Sequence, residues 1–178
     1  TSPYAFFQYW LNSDDADVIK FIKTFSFKSR GEIEALEIAH NENPGARTAH
    51  RELARELTSL VHSPEIAERV EIAARALFGQ ADLNELDEAT LASAIAELPR
   101  TTVKAGEELP TWVDLLAATG VVDSKSAARR IVKESGAYLN NEKVPSEDFR
   151  LEKGHFLCGK YALLRKGKRD LAAVELIS

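Results

Sequence analysis

Ser124-Lys125-Ser126-Ala127-Ala128-Arg129-Arg130-Ile131-Val132-Lys133 leads, a short step later, into Gly136-Ala137-Tyr138-Leu139-Asn140-Asn141-Glu142-Lys143-Val144. The first run has a helical period: Ser124 is a capping residue and Gly136 a stop. Lys125, Arg129 and Lys133 recur every fourth position and fall on one face, with Ser126 and Arg130 beside them. Ala127, Ala128, Ile131 and Val132 offer small and apolar surface to a preceding helix, Thr111–Ala118, which Gly120 closes. The second run switches to strand chemistry, Ala137–Leu139 and Lys143-Val144 about an Asn140-Asn141 turn. A helix start exposes free N–H groups and the positive end of the helix dipole, which suits a phosphate. An ordinary solvated face would interleave acids at helical spacing, but the first acid here is Glu134.

Working outward, the chain is acidic overall, with a net charge of −5, but the charge is split. Residues 1–98 carry 9 Lys and Arg against 17 Asp and Glu, a net of −8. Residues 124–169 carry 12 against 5, a net of +7. Such asymmetry points the basic part toward a polyanion.

Upstream, Ser2-Pro3 opens an aromatic-rich helix, Tyr4–Leu11. Asn12-Ser13-Asp14 begins a second, with Val18, Ile19, Ile22 and Phe25 at helical spacing. Ser29 and Glu32 form a capping box for a third, to about His40. Asn43-Pro44 and Ser63-Pro64 open two more, the latter stopped by Gly79, and a short helix runs from Asp87 to Leu98. Residues 99–108, with Pro, Gly and paired Thr, read as a linker. Beyond the hairpin, 155–158, 161–164 and 172–177 are strand-like, with a turn at Lys166-Gly167-Lys168. The fold class is therefore α+β: an all-α domain over 1–98, then a small α+β domain over 109–178 with a helix-turn-helix and short antiparallel strands.

Hydrophobic residues make up 44% and charged residues 29%, as in a globular domain. No apolar run is long enough to span a bilayer, and no segment is laid out as a signal peptide. The single Cys158 excludes an internal disulfide, fits a cytoplasmic setting, and reads as a small core residue. His40 and His50 flank a turn without a third ligand, so no metal site is expected. No Ser/His/Asp set can be assembled and no Gly-rich phosphate loop follows a strand. Arg47, Arg51 and Arg55 form a row beside Glu52 and Glu56. That row reads as structural, with a secondary contact to the same polyanion as the alternative. The aromatics of 4–10 read as core rather than as a base-stacking platform.

The stretch from Ser124 to Val144 resembles the αL RNA-binding motif of a small-subunit ribosomal protein, pseudouridine synthases, heat-shock RNA-binding proteins and bacterial tyrosyl-tRNA synthetases. Gly159–Arg169 resembles the closing hairpin of the synthetase version. Thr1-Ser2-Pro3-Tyr4-Ala5-Phe6-Phe7-Gln8-Tyr9-Trp10-Leu11-Asn12 resembles the segment that follows the nucleotide-binding signature loop of those synthetases. Asp15–Val18, Phe25–Phe27, Glu34–Glu37 and Leu60–His62 continue that likeness. By position, the resemblance implicates Lys125, Ser126, Arg129, Arg130, Lys133, Tyr138, Lys143, Lys160, Arg165 and Lys168 in RNA contact. Tyr138 has a competing role as a core strand residue.

The resemblance implies a helical anticodon-binding domain over 1–98 and an RNA-gripping domain over 109–178, positioning tRNA(Tyr) for ATP-dependent tyrosylation. The family's Rossmann-like catalytic domain, with its His-rich and Lys-Ser-rich signatures, has no counterpart among these residues. The chain is therefore expected to begin where that domain ends and to be inactive alone. ATP with Mg belongs to that domain, and no cofactor is expected here. A monomer is expected, the intact enzyme being a homodimer through its catalytic part, and no membrane partner is implied. The alternative is a free-standing RNA-binding regulator with a helical partner domain. A helical protein-interaction module and a pseudouridine synthase fit less well, the latter needing a catalytic Asp in a β-rich domain.

Overall fold

Ser2 opens α1 (Pro3–Leu11) by accepting the Ala5 N–H at 3.1 Å. The computed structural model describes residues 1–178, which pack as two units, Thr1–Ala74 and Arg75–Ser178. The first holds α1, α2 (Val18–Phe25), α3 (Arg30–Glu42) and α4 (Thr48–Val61). α5 (Pro64–Leu77) carries the chain across the division. The Ser29–Glu32 capping box forms as read. The second helix begins later than expected, at Val18, because Asn12–Asp17 is spent on turns. Asn43 caps only a 3-10 turn, and α4 starts beyond Arg47, whose left-handed backbone (φ 51°) breaks the path.

α4 is the spine of this unit. Ala49, Leu53 and Leu57, spaced by four, bury one face against Val18 and Ile22 of α2, with Phe6, Trp10, Ile33 and Leu36 packed around them. Tyr4 and Phe7 are buried, whereas Tyr9 is 69% exposed.

The second unit is a mixed sheet with helices: α6 (Glu88–Ile95), β1 (Arg100–Lys104), α7 (Trp112–Ala118), α8 (Lys125–Lys133), β2 (Ala137–Leu139), β3 (Glu142–Lys143), β4 (Tyr161–Lys166) and β5 (Asp170–Ile177). Strand order is β1-β5-β4-β2-β3. All pairings are antiparallel except β1 with β5, which is parallel over Arg100↔Ala173 to Lys104↔Ile177.

The segment read as a linker is thus partly a strand. Val103 is buried in the core, and Thr101-Thr102-Val103 supplies the β-branched run that a strand favours. Its partner lies some seventy residues on, beyond the reach of local pattern. Residues 75–98, read with the helical domain, also belong to this unit. Asn141 Nδ2 donates to the Ala76 carbonyl at 2.7 Å, and Lys160 Nζ meets Glu88 Oε1 at 3.3 Å.

The core lies between the helix pair and one sheet face. Trp112, fully buried, packs with Leu115, Leu116, Ala128 and Val132 against Ala137, Leu139, Ala162, Leu164, Ala172 and Val174. Its indole N–H donates to the Tyr138 carbonyl at 3.1 Å, tying α7 to β2. Truncating such a side chain to Ala costs about 3–5 kcal/mol.

Residues 155–158 do not form the expected strand. They close a 3-10 turn (Lys153–His155) and enter a bend in which Cys158 and Gly159 both take positive φ (52° and 67°). Cys158 is consequently exposed rather than in the core.

Candidate nucleic-acid interface

α8 is amphipathic in the strict sense that its two faces do different work. Ala128 and Val132, four apart, are buried; Lys125, Ser126, Arg129, Arg130 and Lys133 are all exposed. Ser124 accepts the Ala127 N–H at 3.1 Å and fixes the helix start.

The row carries acids that its own helix does not reveal. Asp114 on α7 binds Lys125 Nζ at 2.6 Å. Glu147, in the loop after β3, spans two cations, Lys133 Nζ at 3.2 Å and Arg129 Nε at 3.9 Å. Arg130 faces Glu134 at 3.9 Å. Hydrogen bonds from Lys125 and from Thr111 hold the Asp114 carboxyl below the usual carboxylate range, so it stays charged near neutrality. Solvent-exposed pairs of this kind are worth about 0–1 kcal/mol each, so a phosphate can displace them.

A second group comes from the sheet. Ala137 and Leu139 face the core, so Tyr138 faces away, and its cross-strand partners Lys143 and Arg165 share that face. The Arg165 guanidinium carbon lies 4.0 Å from the Tyr138 ring centroid, and Nη1 donates to the Gly167 carbonyl at 2.7 Å. Tyr138 is half-buried, so it serves neither as pure core nor as an open platform. The Gly167 N–H donates to the Gly136 carbonyl at 2.7 Å, holding the β4–β5 turn with Lys168 beside the exit of α8. Lys143 and Lys168 are exposed and have no carboxylate partner.

Lys160 stands apart. It precedes β4, whose far end carries Arg165 and the Lys168 turn, roughly 20 Å away at strand rise. Its bond to Glu88, reinforced by Tyr161, pushes its ammonium above the ordinary lysine value. Nine of the ten residues singled out from sequence thus fall into the helix row and the hairpin row. What sequence reasoning missed are the acids, Asp114 and Glu147, whose pairing depends on tertiary placement.

In the first unit His40 and His50 do come together, ring centroids 5.5 Å apart, with His50 Nε2 3.2 Å from Asp15 Oδ1. No group of three metal-ligating side chains gathers anywhere. Arg47 is tied to the Leu11 carbonyl and Arg55 faces Glu71, while Arg51 is exposed. No helix is long and apolar enough to cross a membrane.

Residues 90–174 match the family model described as the tyrosine–tRNA ligase SYY-like C-terminal domain, and residues 1–79 match that of the class I tRNA synthetases (W and Y). The tyrosine–tRNA ligase of Streptomyces avermitilis is 56% identical over 176 residues, covering 99% of this chain and 41% of the relative. That of Corynebacterium glutamicum is 48% identical over 177 residues, covering 99% and 42%. A solution structure of a tyrosyl-tRNA synthetase C-terminal domain is 26% identical, with a TM-score of 0.43, covering 55% of this chain and 96% of that one. The chain spans about two-fifths of the length of the curated relatives it matches.

Proposed function

Because the chain belongs to the bacterial tyrosine–tRNA ligases, whose C-terminal region it matches, we propose that it is the part that grips tRNA(Tyr) and positions it for ATP-dependent tyrosylation. The observation that carries this reading is the exposed cation row of α8, Lys125, Arg129, Arg130 and Lys133, with Lys143, Arg165 and Lys168 as further cations of the same unit. Cations on the helix meet backbone phosphates, while the rigid hairpin fits the shape of a folded RNA. Phosphate contacts give affinity and salt dependence, and little sequence choice. The helical unit, residues 1–74, acts as the anticodon-binding domain, and residues 109–178, within the second unit, act as the αL-type RNA-binding domain. Tyrosine activation, with ATP and magnesium, is the task of a Rossmann-like catalytic domain elsewhere in the enzyme. The setting is cytoplasmic. The chain alone is monomeric and the whole enzyme dimeric through its catalytic part; light scattering on each checks this.

Filter binding of tRNA(Tyr) tests the reading. Wild-type affinity falls steeply between about 50 and 200 mM salt. Arg129→Glu with Arg130→Glu weakens binding by on the order of a hundredfold and flattens the salt slope. Salt-insensitive binding, or none by the wild type, refutes it.

A further inference from the structure

A cleft of about 720 Å³ opens beneath the β2–β3 turn, within the second unit, and its walls carry a ring pair, one cation and two carboxylates, Asp82 and Glu142. At one end Phe149 and His155 form a ring pair, centroids 5.6 Å apart and planes at 52°. His155 Nδ1 accepts the Glu152 N–H at 2.8 Å, so the ring proton sits on Nε2, which is left as a donor. At another point of the wall stands Lys143, an exposed cation without a carboxylate partner.

The wall between them is held rigid. Asn140 and Asn141 take positive φ, 48° and 70°, the two-residue hairpin geometry. Asn140 Nδ2 donates to the His155 carbonyl at 2.6 Å, and its Oδ1 accepts the Leu163 N–H at 2.8 Å. Asn141 Nδ2 donates to the Ala76 carbonyl, and Gly79 backs its amide so closely that an added Cβ would sit 3.6 Å from Oδ1. These bonds fix the ring pair and the hairpin in one frame without occupying the cleft.

We propose that this cleft takes a single unstacked nucleotide of the bound RNA, its base against the His155–Phe149 pair and its phosphate at Lys143. The proposal rests on the RNA-binding reading and extends it from backbone grip to base capture. The volume suits a small organic ligand. Aromatic faces with a nearby cation are how proteins hold splayed-out bases. A bare phosphate would leave the rings unused, and the polar wall argues against an apolar peptide.

The test is a titration of the intact chain with each of the nucleoside 5′-monophosphates, and separately with ribose 5-phosphate, followed by side-chain NMR of Phe149 and His155. The expected result is ring-current shifts at both residues with one or more nucleotides and none with ribose 5-phosphate. His155→Ala should abolish the Phe149 shifts and weaken tRNA(Tyr) binding about five- to fiftyfold. No shift at millimolar nucleotide overturns the proposal, as do equal shifts with ribose 5-phosphate, or nucleotide shifts with unchanged tRNA affinity in His155→Ala. Failure of the RNA reading is separate, since it appears as loss of wild-type tRNA binding in the filter assay.

Discussion

Arg165 lies over the Tyr138 ring at 4.0 Å, on adjacent strands and in direct register. The ring and the Gly167 carbonyl hold the guanidinium from two sides, so its direction is set before any RNA arrives. A cation over a tyrosine face contributes about 0.5–2 kcal/mol, and the preordered side chain loses less entropy on binding. Tyr138→Phe should therefore leave tRNA affinity within about twofold of wild type. Tyr138→Ala should lower it by about three- to tenfold and reduce stability by about 1–2 kcal/mol. Filter binding with urea unfolding checks both. Equal losses in the two variants would mean that the hydroxyl, not the ring, matters.

Glu147 competes with phosphate for Lys133 and Arg129. Its removal frees two cations while leaving α8 intact, since neither pair is buried. Glu147→Gln should raise tRNA affinity about two- to fivefold at low salt, and the gain should shrink as salt screens the pairs. A loss of affinity would show that Glu147 instead orients the cations for RNA.

His50 is fully buried on α4. Burial first, then Arg47 and His40, hold its imidazole below the ordinary histidine value, against the opposing pull of Asp15. The unfolded chain, with an imidazole pKa of about 6.5, then takes up its proton at higher pH than the folded one does. This contribution is fully present above about pH 6.5 and is lost progressively as pH falls below it. The melting temperature should drop on going from about pH 7.5 to about pH 5.5, and His50→Gln should flatten that drop. Parallel pH profiles for the two proteins would remove His50 from the account.

The parts of the fold that were legible in sequence are those written in local spacing. The α8 face, its Ser124 cap, the Ser29–Glu32 box and the Asn140-Asn141 turn each need only a few neighbouring residues to be read. The candidate site divided along the same line. Its cations were visible because they share one helix and one hairpin. Asp114 and Glu147 were not, since they reach α8 from other elements. Cys158 was misread because an apolar run looks like core until a tight bend, with φ at 52°, turns it outward. Pairing of β1 with β5 was invisible for a related reason: a parallel partner needs a distant segment, and no turn announces it.

That last pairing gives a sharp stability test. Val103 sits in the core formed by Trp112, Leu116 and the sheet, on a strand at the sheet edge. Were residues 99–108 a free linker, Val103→Asp would place a charge in water at almost no cost. In the observed fold it places an unpaired carboxylate in an apolar core, a cost of several kcal/mol. The variant should lose about 3 kcal/mol or more in urea unfolding, whereas Thr102→Ser on the exposed side of β1 should change it by under about 0.5 kcal/mol. Val103→Asp with wild-type stability would detach β1 from the sheet. Loss confined to Val103→Asp would instead make β1 part of the frame that holds β5, and through β4 the strand carrying Arg165.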